Sequence, residues 1–235
     1  MMKQTQQDDH MGKAQVRSLV ACKYLGLRNT NGIHKLPEEI GKLKFLQILD
    51  LEGSRIKVLP LGICQLTQLV CLRGGFDTCV SGGLFLTKVT SLEDLQHIRI
   101  DHLDEESQQQ FMKALGSLSS ARVLAIFVDF ESIKQSDLMQ SDLVQSLGNL
   151  RKLQHLLLRS RNCGKAAMRE WDKAVLLRHL RHLSLNAIRF QRLPSWISPE
   201  CDVSTNEGVL STYAALLTRI CTCEIYQLGL LDWRS

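Results

Sequence analysis

The run LPEEIGKLKFLQILDLEGSRIKVLP, Leu36 to Pro60, begins to repeat before it has ended. Leu36-Pro37-x-x-Ile40-x-x-Leu43-x-x-Leu46-x-x-Leu49-x-Leu51 returns as Leu59-Pro60-x-x-Ile63-x-x-Leu66-x-x-Leu69-x-x-Leu72, offset by 23 residues at every matched position. Upstream, Leu25-Gly-Leu27 has the form of a strand end, followed by Ile33 and Leu36-Pro37. Downstream, Val89, Leu92, Leu95, Ile98 and Ile100 repeat the spacing of Ile40, Leu43, Leu46, Leu49 and Leu51. Leu115, Leu118, Ala121, Leu124 and Ile126 do so again, as do Leu147, Leu150, Leu153, Leu156 and Leu158. A final copy runs through Leu177, Leu180, Leu183 and Leu185 and exits at Leu193-Pro194.

A period in the range of about 20–29 residues with L-x-x-L-x-L spacing marks a leucine-rich repeat. The expected fold is therefore an α/β repeat solenoid, a horseshoe with a concave parallel sheet and an irregular or helical convex side. Leucines two apart on a short strand point to the same side, into the stack, and the residues between them point out. One rung cannot bury its own leucines, so neighbours must stack. Seven strand candidates fall between Tyr24 and Asn186. Residues 16–198 form the predicted repeat domain, preceded by a disordered segment at 1–15. Residues 199–235 follow as a non-repeat tail, poorly ordered or ending in a short capping helix.

The convex side is expected to differ between rungs. The 23-residue rungs with Leu-Pro predict an extended or 3₁₀ outer face. Asp104 to Leu115 opens with acids and then spaces Phe111, Met112 and Leu115 as a helix does. Ser141 to Leu147 and Ala166 to Leu177 predict helices on the same grounds.

Composition agrees with a single repeat domain. Leucine is about one residue in six, well above ordinary globular usage. The net charge is +5 without a concentrated Lys/Arg block, which argues against a nucleic-acid partner. No apolar run approaches the length of a membrane span, and the polar N-terminus has no signal-peptide core, so the chain is expected in the cytoplasm. The eight cysteines form no C-x-x-C pair and no regular framework. That suits thiols in a reducing compartment.

No phosphate-cradling loop, G-x-S-x-G or H-E-x-x-H motif is present. His155 and His182 hold equivalent positions on successive rungs, with His97 earlier, but no carboxylate or thiol joins them at ligand spacing. They are expected to be solvated or to contact a partner. No catalytic group, metal or cofactor is expected.

The expected activity is contact with another protein through the outward strand positions. These are Tyr24, Gly26 and Arg28; Ile48, Asp50 and Glu52; Cys71 and Arg73; His97, Arg99 and Asp101. They continue as Val123, Ala125 and Phe127; His155, Leu157 and Arg159; and His182, Ser184 and Asn186. Ile48, Val123, Phe127 and Leu157 are apolar where solvent alone favours polar side chains, and charge rims them as at an interface.

The stretch Tyr24-Leu-Gly-Leu-Arg-Asn-Thr30, then Leu36 to Ser54, then Ile56-x-x-Leu59-Pro60, resembles the repeat region of plant disease-resistance receptors. The resemblance is to the intracellular coiled-coil, nucleotide-binding, leucine-rich-repeat (NB-LRR) class in its grass form, and Leu193-Pro-Ser-Trp-Ile197 matches the later rungs of the same proteins. It implies a part in pathogen sensing. The repeats of that family recognise a pathogen effector or a guarded host protein and hold a nucleotide-binding domain inactive.

The chain departs from that pattern at both ends. It starts almost directly with repeats, as a sensor half without its switch, and after Ile197 the L-x-x-L-x-L spacing stops. The tail reads either as a cap or as frameshifted or intron-derived sequence. A substrate receptor of a ubiquitin ligase and a pseudogene-like fragment are the alternative readings, the former weakened by the missing adaptor-binding helices.

Near the start, Val16 to Ala21 has the form of a rung strand, yet Leu25 follows Leu19 by only six residues. Consecutive rungs need about 20 or more, so these segments read as a first rung joined to a third by deletion or splicing. Truncation before Val16 is then expected to leave the melting temperature unchanged in a thermal scan; a clear drop would show the segment to be part of the fold.

Overall fold

The structure is a computed structural model and describes residues 21–75, 78–79, 83–100, 103–128, 136–160, 177, 179–186, 197, 200–205 and 208–210. The readings made for residues 1–20, for Asp101, for helix 166–176, for the Leu193-Pro194 exit and for the tail beyond 210 lie outside the described residues.

In chain order the strands are β1 (Tyr24–Gly26), β2 (Ile48–Asp50), β3 (Val58–Leu59), β4 (Cys71–Arg73) and β5 (Thr78–Cys79). They continue with β6 (Asp94–Arg99), β7 (Val123–Phe127), β8 (His155–Arg159), β9 (His182–Asn186), β10 (Asp202–Thr205) and β11 (Gly208–Leu210). The main sheet runs β1-β2-β4-β6-β7-β8-β9-β10-β11, and β3 pairs with β5 beside it. Its first eight strands are parallel, and β11 turns back antiparallel on β10. All seven strands expected between Tyr24 and Asn186 are present. The sheet continues beyond them through β10, which no L-x-x-L-x-L signal announced.

The register is a column of core side chains. Leu25, Leu49, Leu72, Leu95, Leu124, Leu156, Leu183 and Val203 lie side by side on successive strands, all buried. Full burial of one such side chain stabilises the fold by roughly 1.5–3 kcal/mol. A backbone ladder accompanies the column. The carbonyl of the residue before each strand accepts two amides from the next rung: Lys23 from Gln47 and Ile48, Gln47 from Val70 and Cys71, and so on to Gln154 from Arg181 and His182.

On the convex side, Pro37 and Pro60 precede the 3₁₀ helices Glu38–Lys42 and Leu61–Gln65, as expected of the short rungs. The two helices are locked together. The Glu38 carboxylate accepts from the amides of Leu61 (3.2 Å) and Gly62 (2.7 Å), which have no partner inside their own helix. A Cβ at Gly62 would stand 2.2 Å from the Glu38 carbonyl oxygen, so only glycine permits this approach.

The later rungs carry α-helices: α1 (Leu84–Lys88), α2 (Glu105–Leu115) and α3 (Ser136–Gly148). Asp104 caps α2, its side chain accepting from the Ser107 amide at 2.8 Å, and that bond holds the carboxyl below its ordinary value. Gln108 is buried because its amide donates to the carbonyls of Leu103 and Ile100. Ser146 of α3 donates to the Met112 carbonyl of α2 at 2.6 Å.

One expectation fails in β6. The spacing aligned Ile98 with Leu49, but the structure pairs Leu95 with Leu72 and Leu124, and Ile98 with Ile126. Apolar residues recur every third position from Leu86 to Ile98, so the pattern fits at two offsets three residues apart. Keeping both Leu95 and Ile98 inside requires an extra residue between them. A bulge supplies it, with His97 in the left-handed region at φ 64°. Row by row, Asp94 and Gln96 therefore hold the positions assigned to His97 and Arg99.

Asp50 also differs from a solvated outward residue. It is only 7% exposed, and its Oδ1 accepts from the Glu52 amide at 3.0 Å. Leu49→Ala is expected to cost about 2–5 kcal/mol in urea unfolding through the cavity it leaves. Asp50→Ala should cost roughly 1 kcal/mol through the lost hydrogen bond. Equal costs would mean that the two side chains do not face opposite sides.

Candidate functional site

Three rows of outward side chains cross the concave sheet. The first is Tyr24, Ile48, Cys71, Asp94, Val123, His155, His182 and Asp202. The second runs from Gly26 through Asp50, Arg73 and Gln96, and beyond the bulge through Ala125, Leu157, Ser184 and Ser204. Arg99, Phe127, Arg159 and Asn186 form the end of the third, and Arg28 and Glu52 pair at its beginning. His97 stands apart in the bulge.

The N-terminal part of this face is apolar and acidic. Tyr24 is 56% and Ile48 37% exposed. With Val70, Val123 and Asp94 they line a shallow cavity of about 410 Å³. Arg73 lines it too, donating to Asp94 from Nε at 3.1 Å. Cys71 is buried beside that pair and its thiol donates to the Asp94 carboxylate at 3.6 Å. Burial, and then the Asp94 charge, push the Cys71 thiol up to about 12. Burial and Asp202 likewise raise Cys201 to about 11. Cys22, Cys71 and Cys201 form no disulfide.

In the middle rungs, Phe127 lies between two guanidinium groups, Arg99 at 5.2 Å and Arg159 at 5.5 Å from its ring centre. Such contacts hold an aromatic ring in place on an exposed sheet. Toward the C-terminal end the face becomes basic. His155 and His182 stack with ring centres 4.5 Å apart, inclined by 17°. Burial, then His182, then Arg181 lower the pKa of His155. His182 Nδ1 lies 3.4 Å from the Asp202 carboxylate, a partner that no spacing in the sequence disclosed. Among the described residues no group of three or more His, Cys, Asp or Glu is placed to hold a metal ion.

Several residues on this face lay outside the sequence reading: Asp94, Gln96 and Asp202 on the strands, and Arg122 and Arg181 at the edge. Asp94 had a signal. Leu49, Leu72 and Leu95 continue the offset of 23 residues without change, and that offset alone aligns Asp94 with Ile48 and Cys71. Asp202 had none, because no L-x-x-L-x-L spacing leads into β10, where Val203 holds the core position.

Stacked rungs with an open, chemically graded concave sheet define a leucine-rich repeat solenoid, a module for contact with other proteins. The chain belongs to the leucine-rich repeat region family, which it matches over residues 1–205. It is 41% identical over 69 residues to Disease resistance protein RGA4 of Oryza sativa subsp. japonica, covering 29% of this chain and 6% of that protein. To Disease resistance protein Pik-2 of the same organism it is 29% identical over 143 residues, covering 59% of this chain and 13% of that protein. The resemblance of Tyr24–Pro60 to the repeats of plant disease-resistance proteins thus stands, and the chain spans a small part of those relatives' length. Among solved structures, the functional domain of InlJ from Listeria monocytogenes superposes with a TM-score of 0.43 at 13% identity, over 78% of this chain and 39% of that one. No helix among the described residues is long and apolar enough to cross a membrane.

The raised thiols give a pH dependence with a definite sign. Between the ordinary thiol value near 9 and about 12 the folded chain holds a proton on Cys71 that the unfolded chain has released. Stability from this source is whole below pH 9 and is lost as the pH rises through that window. Urea midpoints should fall between pH 8 and pH 11, and less steeply in Cys71→Ala. At pH 8, iodoacetamide should modify half-exposed Cys22 and leave Cys71 and Cys201 intact; prompt native-state labelling of Cys71 would contradict the assignment.

Proposed function

We propose that the chain is the sensing and restraining repeat module of a plant disease-resistance protein. It contacts a pathogen effector or a guarded host protein on its concave face and holds a nucleotide-binding domain inactive. The observation that carries this reading is the pair of apolar side chains, Tyr24 and Ile48, left exposed on a sheet that otherwise follows the repeat rule. Tyr24 and Ile48 stand in adjacent register, and the half-buried Val123, Leu157 and Phe127 add apolar surface on the middle rungs. Solvent gives no reason for them; a protein partner that excludes water does.

The likeness to the rice resistance proteins supplies the setting. Their repeats are the part this chain is similar to, so defence signalling in the cytoplasm is the context in which the face would be used. The charged pairs Arg28–Glu52 and Arg73–Asp94 lie beside these side chains, and mixed charge of this kind favours one partner over others. Action is by contact, without chemistry on a substrate.

The test is co-expression in leaf tissue with an autoactive nucleotide-binding module taken from a rice relative. The wild-type chain is expected to suppress the cell death that module triggers. A variant carrying Ile48→Glu, Phe127→Ala and Leu157→Glu should lose most of the suppression while keeping its melting temperature. Undiminished cell death with the wild-type chain would remove restraint from the proposal.

A further inference from the structure

We propose that the groove along the N-terminal edge of β7 to β9 takes a carboxylate-rich segment of a protein partner. This rests on the reading of the chain as a protein-contact module and names the chemistry of one part of the contact. The groove encloses about 680 Å³, and Arg122, Arg151, Lys152, His179, Arg181 and His182 line it. Arg122 is held at 3.2 Å by Glu93. Arg151, Lys152 and Arg181 are exposed and have no carboxylate partner among the described residues.

The backbone adds to the selection. At this edge the Arg122 carbonyl already accepts from Gln154 and His155, and the Gln154 carbonyl from Arg181 and His182. A carbonyl has two lone pairs, so both acceptors are filled. What the side chains of Arg122, Arg151, Lys152 and Arg181 add there is donors, guanidinium and ammonium, beside the N–H groups of the Gln154 amide. An acceptor-only group completes them, and an ionised carboxylate is such a group. Arg122 and Arg181 are two rungs apart, about 10 Å by the ordinary strand spacing. Carboxylates set apart along a peptide suit that spacing.

A nucleic acid is the less fitting occupant. Among the described residues no Phe, Tyr or Trp lines the groove, so these offer bases no platform on which to stack. Glu200 and Asp202 continue the lining at its β10 end and oppose a continuous run of phosphates. A peptide whose acids alternate with neutral residues can set the latter beside those two carboxylates.

The test measures fluorescence anisotropy of a fluorescein-labelled Glu/Asp-rich dodecapeptide on the full chain, beside a labelled oligothymidylate of equal charge. Saturable peptide binding, tighter than oligothymidylate binding, is expected. Combined Arg151→Glu, Lys152→Glu and Arg181→Glu should weaken it by about tenfold or more. The same three-charge reversal at Lys35, Lys42 and Lys57, exposed residues away from the groove, should leave it within about twofold. The melting temperature of each variant accompanies the titration, and the milder glutamine substitutions replace any that unfold. No peptide binding, equal loss in both variants, or tighter binding of oligothymidylate would each overturn the proposal. Absent peptide binding with suppression of cell death intact removes the groove alone. The converse result removes the restraint of the switch and leaves the groove.

Discussion

The column of side chains from Leu25 to Val203 sets the terms for everything else in this molecule. A single rung offers two or three leucines on a strand of three to six residues and cannot exclude water from them. Placed in register with the rung before and the rung after, the same leucines become part of one continuous apolar core. The column tolerates local distortion more readily than it tolerates a gap. At β6 the chain accepts a bulge and a left-handed His97 so that Leu95 and Ile98 can both stay inside. The entropy and ladder lost at that bulge are small beside the burial of two large side chains.

Because the core is specified by leucines and by backbone pairing, the residues between them are largely released from structural duty. That freedom shows in the changing chemistry of the concave face. Tyr24, Ile48 and Asp94 make its first part apolar and acidic. Phe127 between Arg99 and Arg159 marks the middle, and Arg122, Arg181 and the His155–His182 stack make the last part basic. A face that varies along its length presents different chemistry to different segments of one partner. Length adds contacts in this architecture without requiring a new fold.

The same ladder that joins the rungs also determines what their edge can bind. Two amides on each carbonyl fill the backbone acceptors at Arg122 and Gln154, and the side chains of Arg122, Arg151, Lys152 and Arg181 add donors to this rim. On the convex side the arrangement is reversed. Glu38 supplies acceptors to the amides of Leu61 and Gly62, and the absence of a side chain at Gly62 lets the two 3₁₀ helices touch. The two short rungs are thus locked together on their outer side, while the strand residues that point away from the core stay open on the concave face.

The spacing of leucines was enough to establish the solenoid, its seven central strands, the 3₁₀ turns after Pro37 and Pro60 and the helix capped by Asp104, because each follows from local periodicity or local hydrogen bonding. It was enough, too, to put Tyr24, Ile48, Arg73, Val123 and His155 on one face, since side chains alternate strictly along a strand. It could not choose between two offsets at β6, because residues every third position satisfy both and only the neighbouring rungs select one. It did not disclose β10, whose place comes from pairing with β9 and not from its own pattern. The burial of Asp50, the Cys71–Asp94–Arg73 cluster, the Asp202 partner of His182 and the donor-rich edge beside Arg181 all join residues from different rungs. Contacts of that kind exist only once stacking has brought the rungs together.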